Sequence, residues 1–172
     1  MRALLAAAIL IGASTLALAH GPTRQKVTET TTIKAAPDAV WNKVKDFNGM
    51  AAWHPAVEGS TATDGSKEGS VRTLSLKGGG QMVETLEGYS DAERKFSYRA
   101  KDGGALPVTN YTSTLTVKAG DGGTSLVEWR GAFYRAYPNN NPPPGQDDDA
   151  AVKAITGVYQ SGLANLKKIM EK

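Results

Sequence analysis

Cysteine is absent from this sequence of 172 residues, and histidine occurs only twice, as His20 and His54. The lack of cysteine excludes disulfides, thiolate nucleophiles and cysteine-ligated metals. Two histidines also leave little room for most metalloenzyme or Ser-His-Asp designs. The 20 Lys and Arg residues are interspersed with 17 Asp and Glu residues, so no basic stripe indicates nucleic-acid binding. Stability must therefore come from packing.

The first 19 residues have the pattern of a cleavable signal peptide. Arg2 forms a positive n-region, residues 3–19 carry no charge, and a small-x-small triplet ends at Ala19. A membrane span needs about 20 strongly apolar residues, whereas this run is rich in alanine and interrupted at Gly12. We therefore predict a signal peptide over residues 1–19, cleavage after Ala19, export to the periplasm, and one mature domain over residues 20–172.

The first part of the mature sequence predicts one strand and two short helices. Residues 26–34 (KVTETTTIK) are β-branched and alternating, which favours a strand. Pro37 suits the first turn of a helix, and Val40, Val44 and Phe47 give that helix an apolar face ended by Asn48. A second short helical turn is expected over residues 50–53.

The rest of the sequence predicts a meander followed by one long helix. Strand-like runs occur at residues 57–63, 70–76, 81–89, 95–101, 109–118 and 125–135, separated by glycine-rich turns. A proline-rich loop over 137–146 precedes Asp147, Asp148 and Asp149, which suit a helix N-terminus. The helix carries an apolar stripe of Val152, Ile155, Tyr159, Leu163, Leu166 and Ile169. Its glycines, Gly157 and Gly162, indicate either close packing or room for a ligand.

The predicted fold is α+β: an antiparallel sheet of about seven strands wrapped around a long C-terminal helix, with two short helices after the first strand. This order resembles the helix-grip fold of the SRPBCC superfamily, which includes START-like lipid-transfer domains and polyketide cyclase-like proteins. The local matches are residues 36–41 (APDAVW), 45–47 (KDF) and 53–55 (WHP).

A closer resemblance is to the MxaD family of periplasmic methanol-oxidation accessory proteins. The matching segments are 20–23 (HGPT), 53–57 (WHPAV), 72–74 (RTL), 105–108 (ALPV), 133–135 (FYR) and 149–154 (DAAVKA). The resemblance implies a non-catalytic protein without a cofactor. It further implies partners, because members assist the interaction of methanol dehydrogenase with its cytochrome c acceptor.

A helix-grip fold is built around a cavity, so interior side chains are candidates for its lining. The predicted lining of a cavity for a small apolar ligand is Trp53, His54, Met82, Tyr98, Tyr111, Trp129, Phe133 and Tyr159. The alternative is a solid aromatic core. A large cavity would suit a second function, that of a periplasmic carrier of a lipid or hydrophobic metabolite.

A third function, that of a cyclase-like enzyme, would use His54 as a base with Glu84 or a tyrosine. The alternative role for His54 is a hydrogen bond to a loop carbonyl. His20, exposed by cleavage, could chelate a metal through its amine and imidazole, but a further ligand would have to come from His54 or a carboxylate and the N-terminal segment is expected to be flexible, so no metal site is predicted.

The proline loop is the candidate partner contact. Pro142, Pro143 and Pro144 are consecutive, and a stiff, preordered backbone loses little entropy on docking. The alternative is a spacer between sheet and helix.

Overall fold

The computed structural model describes residues 21–172 as one sheet, two α-helices and two 3-10 turns. The predicted signal peptide and His20 lie outside the described residues. Seven strands form an antiparallel sheet in the order β1-β7-β6-β5-β4-β3-β2. Their bounds are β1 Gln25–Ile33, β2 Val57–Ala62, β3 Val71–Leu76, β4 Gln81–Ser90, β5 Lys95–Ala100, β6 Val108–Ala119 and β7 Ser125–Arg135. The helix-grip prediction is confirmed.

Strand β7 shows why the predicted alternation succeeds. Val127, Trp129 and Phe133 are buried on the inner face, and Arg130 is exposed on the outer face. Side chains alternate between the faces of a strand, so one apolar face directs β7 towards the core. Since β7 pairs with both β1 and β6, it lies between these two strands in the sheet.

Helix α1 spans Pro37–Val44, and a 3-10 helix follows at Gly49–Ala52. The prediction that α1 continues through Phe47 is wrong, because Ser66 takes over the backbone groups there. Its hydroxyl accepts from the Phe47 N–H at 2.9 Å and donates to the Lys45 carbonyl at 3.2 Å. Phe47 is nevertheless fully buried, so the expected burial is right although the helix ends earlier.

Helix α2 spans Asp148–Met170 and packs mainly against β1 and β7. The Asp147 side chain caps it by accepting from the Ala150 N–H at 2.8 Å, which satisfies one free donor at the helix start. Ile155, Tyr159, Leu163 and Leu166 form its buried face, as predicted. Within residues 21–172, no helix is long and apolar enough to cross a membrane.

Candidate functional site

A small cavity lies between the inner face of the sheet and α2. Its volume is about 50 Å³, far below the roughly 300–1,000 Å³ of pockets that hold drug-sized ligands. The lining residues are Met50, His54, Ala56, Val57, Leu74, Leu76, Met82, Glu84, Tyr98, Leu106, Tyr111, Trp129 and Val158. Much of the space that a helix-grip fold can enclose is therefore filled by the protein's own side chains.

The structure places the eight predicted lining residues in two groups. All eight are buried. Five of them line the cavity: His54, Met82, Tyr98, Tyr111 and Trp129. The other three, Trp53, Phe133 and Tyr159, belong to the adjoining core. Tyr159 stacks on Trp129 with ring centroids 4.5 Å apart, so part of the predicted lining acts as packing.

His54 follows the 3-10 helix and is bound to backbone on both ring nitrogens. Nε2 lies 3.0 Å from the carbonyl oxygen of Val158 in α2 and must donate to it, because a carbonyl only accepts. Nδ1 accepts the Ala56 N–H at 3.2 Å. Burial lowers the pKa of His54, which keeps the ring neutral. Neither nitrogen has a lone pair free to abstract a proton.

Gly162 permits this contact between His54 and α2. A Cβ at Gly162 would lie 2.5 Å from Cδ2 of His54 and 2.9 Å from Cζ3 of Trp129. Close packing therefore explains Gly162. A Cβ at Gly157 would meet nothing within 4 Å, and nothing in the structure explains that glycine.

A buried ion pair connects the cavity lining to Phe47, which lies between α1 and the 3-10 helix. Arg72 and Glu84 are cross-strand neighbours on β3 and β4, and they are 1% and 4% exposed. Nε of Arg72 donates to Oε2 of Glu84 at 2.6 Å, and Nη1 donates to the Phe47 carbonyl at 2.8 Å. The guanidinium carbon also lies 4.1 Å from the centroid of the Phe47 ring, a cation–π contact.

Two buried donors lack a hydrogen-bond partner among the described residues: Nη2 of Arg72 and Nε1 of Trp53. Each such group costs free energy relative to hydration in the unfolded chain. Glu84 is likewise only half used, because its Oε2 alone accepts a hydrogen bond within residues 21–172. The ion pair therefore has one donor, Nη2 of Arg72, and one acceptor, Oε1 of Glu84, that make no hydrogen bond within residues 21–172.

A chain of hydroxyl groups runs from the cavity into the sheet. The hydroxyl of Tyr159 lies 2.8 Å from those of Tyr111 and Ser113, and the Tyr98 hydroxyl lies 3.5 Å from that of Tyr111. Burial raises the pKa of Tyr98 to about 12 and also raises the pKa values of Tyr111 and Tyr159. These phenols are therefore protonated and neutral at physiological pH.

Ser113 is the member of this chain that the sequence analysis did not identify. It lies on the same inner face of β6 as Tyr111 and Leu115, at every second position of the strand, so strand periodicity was the available signal. Across the sheet, Gly131 has no side chain to block the Tyr159 hydroxyl, which a Cβ there would contact. A serine and a glycine at inward positions thus make space for one buried hydroxyl.

The proline loop is anchored by a second buried arginine, Arg135. Its guanidinium donates to the carbonyls of Tyr137 and Asn139 at 3.1 and 3.0 Å, and to Oδ1 of Asp148 at 2.9 Å. The three predicted contact residues lie beyond this anchor: Pro143 and Pro144 are exposed, and Pro142 is half-buried. The loop therefore combines a fixed base with an accessible tip.

Residues 21–172 contain no group of three or more His, Asp or Glu side chains that could hold a metal ion. Asp147 and Asp148 instead cap α2 and bind Arg135, in keeping with the predicted role of the acidic run at the helix start. The metal-chelating alternative for His20, which the sequence does not favour, falls outside the described residues.

A family model described as polyketide cyclase / dehydrase and lipid transport matches residues 24–171. Comparison with curated proteins finds no match. Among solved structures, the protein XoxI from Bacillus cereus is 33% identical, with a TM-score of 0.72, over 84% of this chain and 94% of that one. An uncharacterised protein of Bacillus thuringiensis is 32% identical, with a TM-score of 0.72, over 85% of this chain and 98% of its own.

The fold extends to a more distant enzyme. The ZhuI aromatase/cyclase from Streptomyces sp. R1128 is 17% identical, with a TM-score of 0.67, over 86% of this chain and 94% of that one. At this identity the likeness concerns the fold alone. The matches confirm the predicted SRPBCC superfamily, and the XoxI structure supports the closer resemblance noted in the sequence.

Proposed function

Because this chain belongs to the polyketide cyclase / dehydrase and lipid transport family, we propose that it is a non-catalytic member acting as a periplasmic accessory protein of methanol oxidation. In this role it assists the interaction of methanol dehydrogenase with its cytochrome c acceptor. The starting point is the resemblance to the MxaD family in six segments spread between residues 20 and 154.

The observation that carries the non-catalytic part is the state of the interior. A cyclase needs a free acid or base beside a cavity large enough for its substrate. Here the cavity measures about 50 Å³, and both nitrogens of His54 are bound to backbone groups. A protein with this interior acts more readily through its surface than through chemistry inside it.

The surface that we propose for the partner is the tip of the proline loop. Arg135 binds two carbonyls at the base of the loop and the Asp148 carboxylate at the start of α2, so the base from which the tip projects is fixed. A loop that is ordered before docking avoids much of the entropy cost of binding. Pro143 and Pro144, both exposed, are the residues to test.

The experiment measures binding of the mature chain to purified methanol dehydrogenase and to the purified cytochrome at low ionic strength. The loop variant replaces Pro143 and Pro144 with glycine. The matched control replaces Ala119 and Asp121 with glycine at the β6–β7 turn, which lies at the opposite end of β7, about 35 Å away at 3.3 Å per strand residue.

We expect the wild type and the turn variant to bind one of the two proteins with the same affinity, and the loop variant to bind at least fivefold more weakly. Absence of binding by the wild type to both proteins contradicts the accessory role. Equal binding by all three chains contradicts only the assignment to the loop.

The periplasmic location is proposed from the pattern of residues 1–19. Expression of the full chain in a Gram-negative host, followed by mass measurement of the periplasmic protein, tests it. A protein that begins at His20 is expected, whereas an uncut chain in the cytoplasm contradicts the proposal.

A carrier of a lipid or hydrophobic metabolite is the second candidate, favoured by the apolar part of the cavity lining, including Leu74, Leu76 and Met82. The cavity would have to expand several-fold for such cargo. Native mass spectrometry of gently purified protein distinguishes the two, because a carrier retains a bound mass and the accessory protein as proposed has none of lipid size.

The cyclase-like enzyme retains one supporting observation, which is that His54 and Glu84 line the same cavity. It requires His54 to give up its bond to Ala56 or Val158 before it can accept a proton. Replacement of His54 with glutamine tests it, since loss of an in vivo function in a variant that still binds its partners would favour catalysis.

A further inference from the structure

The charged group that lines the cavity, the carboxylate of Glu84, is a hydrogen-bond acceptor, which restricts what the cavity can hold. The direction of the hydroxyl chain follows from Ser113. Its Oγ donates its one proton to the Arg130 carbonyl at 3.1 Å and accepts from Nε1 of Trp129 at 2.9 Å. Since the serine proton is already used, the Tyr159 hydroxyl must donate to Ser113.

The same reasoning fixes the remaining protons. Tyr159 has given its proton to Ser113, so Tyr111 donates to Tyr159 at 2.8 Å. Tyr98 is then the donor of the weaker 3.5 Å contact with Tyr111. The protons of Tyr111 and Tyr159 point along the chain towards Ser113, so Tyr111 has only a lone pair to offer to the cavity, and the Tyr98 oxygen accepts from Nε1 of Trp129 at 3.2 Å.

Glu84 adds a stronger acceptor to the same wall. Its Oε2 is taken by Arg72 at 2.6 Å, whereas Oε1 accepts no hydrogen bond from residues 21–172. His54 contributes nothing, because both its nitrogens are engaged. Glu84 lines the cavity, and its Oε1 is not among the fully enclosed atoms without a partner in residues 21–172, so this oxygen is accessible to an occupant that carries a hydrogen-bond donor.

The charge of the occupant is limited by the ion pair. Arg72 already neutralises Glu84, and both side chains are almost fully buried. A cationic ligand would leave a net positive charge in an apolar surrounding, which is strongly unfavourable. The donor is therefore carried by a neutral molecule.

The size of the occupant is limited by the volume. At about 10–15 Å³ for each water-sized group, a cavity of about 50 Å³ holds roughly three to five non-hydrogen atoms. Leu74, Met82 and Leu106 supply apolar contacts for the remainder of such a molecule. A lipid chain exceeds this limit.

We propose that this cavity is a binding site for a short-chain alcohol of about three to five non-hydrogen atoms, whose hydroxyl donates to Oε1 of Glu84. The alkyl part lies against Leu74 and Met82. The proposal goes beyond the accessory role and does not depend on it, since it concerns the interior and not the partner surface.

The test is a titration of the mature chain, labelled with ¹³C at its methionine methyl groups, followed by nuclear magnetic resonance. The probes are 1-propanol, ethyl methyl ether and propylammonium, which have the same number of non-hydrogen atoms. Only the first is a neutral donor. Met82 reports from the cavity wall.

We expect 1-propanol to shift the Met82 methyl signal saturably. Its Kd should be no tighter than about 40 µM, the limit set by about 1.5 kcal/mol for each of four atoms. The ether and the ammonium should bind at least tenfold more weakly. An ether that binds as well as the alcohol contradicts the donor requirement, tighter binding of the ammonium contradicts the neutral occupant, and absence of saturation with 1-propanol contradicts the site.

Two variants locate the binding. Leu106→Trp places a large side chain at the cavity wall and should abolish the shifts, whereas Leu126→Trp, at a half-buried position outside the lining, should leave the affinity unchanged. If Leu106→Trp does not fold, Val158→Phe provides the same test from α2. Undiminished binding in the folded cavity variant places the alcohol elsewhere and overturns the proposal.

Discussion

The substitution of alanine for glycine should have opposite effects at two positions of α2. At Gly157 a Cβ would meet nothing within 4 Å, so Gly157→Ala gains only the higher helix propensity of alanine, about 1 kcal/mol. For a domain of this size, that gain raises Tm by about 2–4 °C.

At Gly162 the same propensity gain is outweighed. The new Cβ would lie 2.5 Å from Cδ2 and 2.9 Å from Nε2 of His54, and the ring is fixed by its bonds to Val158 and Ala56. Overpacking costs about 1–3 kcal/mol, and losing the His54 bond to Val158 costs about 1 kcal/mol more. The net effect is a loss of about 1–3 kcal/mol, with a fall in Tm of several degrees.

The assay is urea and thermal denaturation of the mature wild type and both variants, followed by circular dichroism. The two variants carry the same chemical change in one helix, so each is the control for the other. If Gly162→Ala stabilises the protein as much as Gly157→Ala, the close contact between His54 and α2 is wrong.

Three further predictions concern buried charge and the loop. The free energy of unfolding should fall as pH drops below about 6.5, because the lowered pKa of His54 means that the unfolded chain binds the proton at a higher pH than the folded chain does. Denaturation measured at several pH values should show a shallower fall for the His54→Gln variant than for the wild type. Arg72→Met should destabilise the protein by about 3–5 kcal/mol by leaving Glu84 unpaired, and Arg72→Met with Glu84→Leu should recover most of that loss in urea denaturation; a double variant as unstable as the single one contradicts this. Arg135→Ala should raise the rate of proteolysis within residues 137–146, since three anchoring bonds are lost; an unchanged rate means that the loop is ordered by other contacts.

The order of strands and helices was accessible from the sequence because each element has a clear period. The alternation in β7 and the apolar stripe of α2 require no long-range information. The end of α1 was not accessible, because the residue that terminates it, Ser66, lies 19 positions beyond Phe47 in the chain. A side chain that binds backbone across such a distance leaves no local pattern.

The site was only partly accessible for the same reason. Burial of His54 and the aromatic residues followed from their position in apolar segments, but which of them line the cavity depends on how they pack. The burial of Arg72 and Glu84 had a usable signal in the sequence. Each charged residue lies two positions from an inward apolar residue on its own strand, Leu74 on β3 and Met82 on β4, and therefore shares its face. Their pairing needed the register of the two strands.

The volume of the cavity could not be inferred from residue types. The stacking of Tyr159 on Trp129, and the approach of Tyr159 past Gly131, decide how much space remains. These are relations between strands and helix that sequence periodicity does not specify. The same aromatic residues could enclose a large cavity in a slightly different packing.

The most direct test of the accessory role is the rate at which methanol dehydrogenase reduces its cytochrome c acceptor at low ionic strength, with and without the mature protein. The account predicts a faster reduction that depends on protein concentration and is diminished by the substitution of glycine for Pro143 and Pro144. A rate of cytochrome reduction that stays the same at every concentration of the wild-type protein would contradict the accessory role.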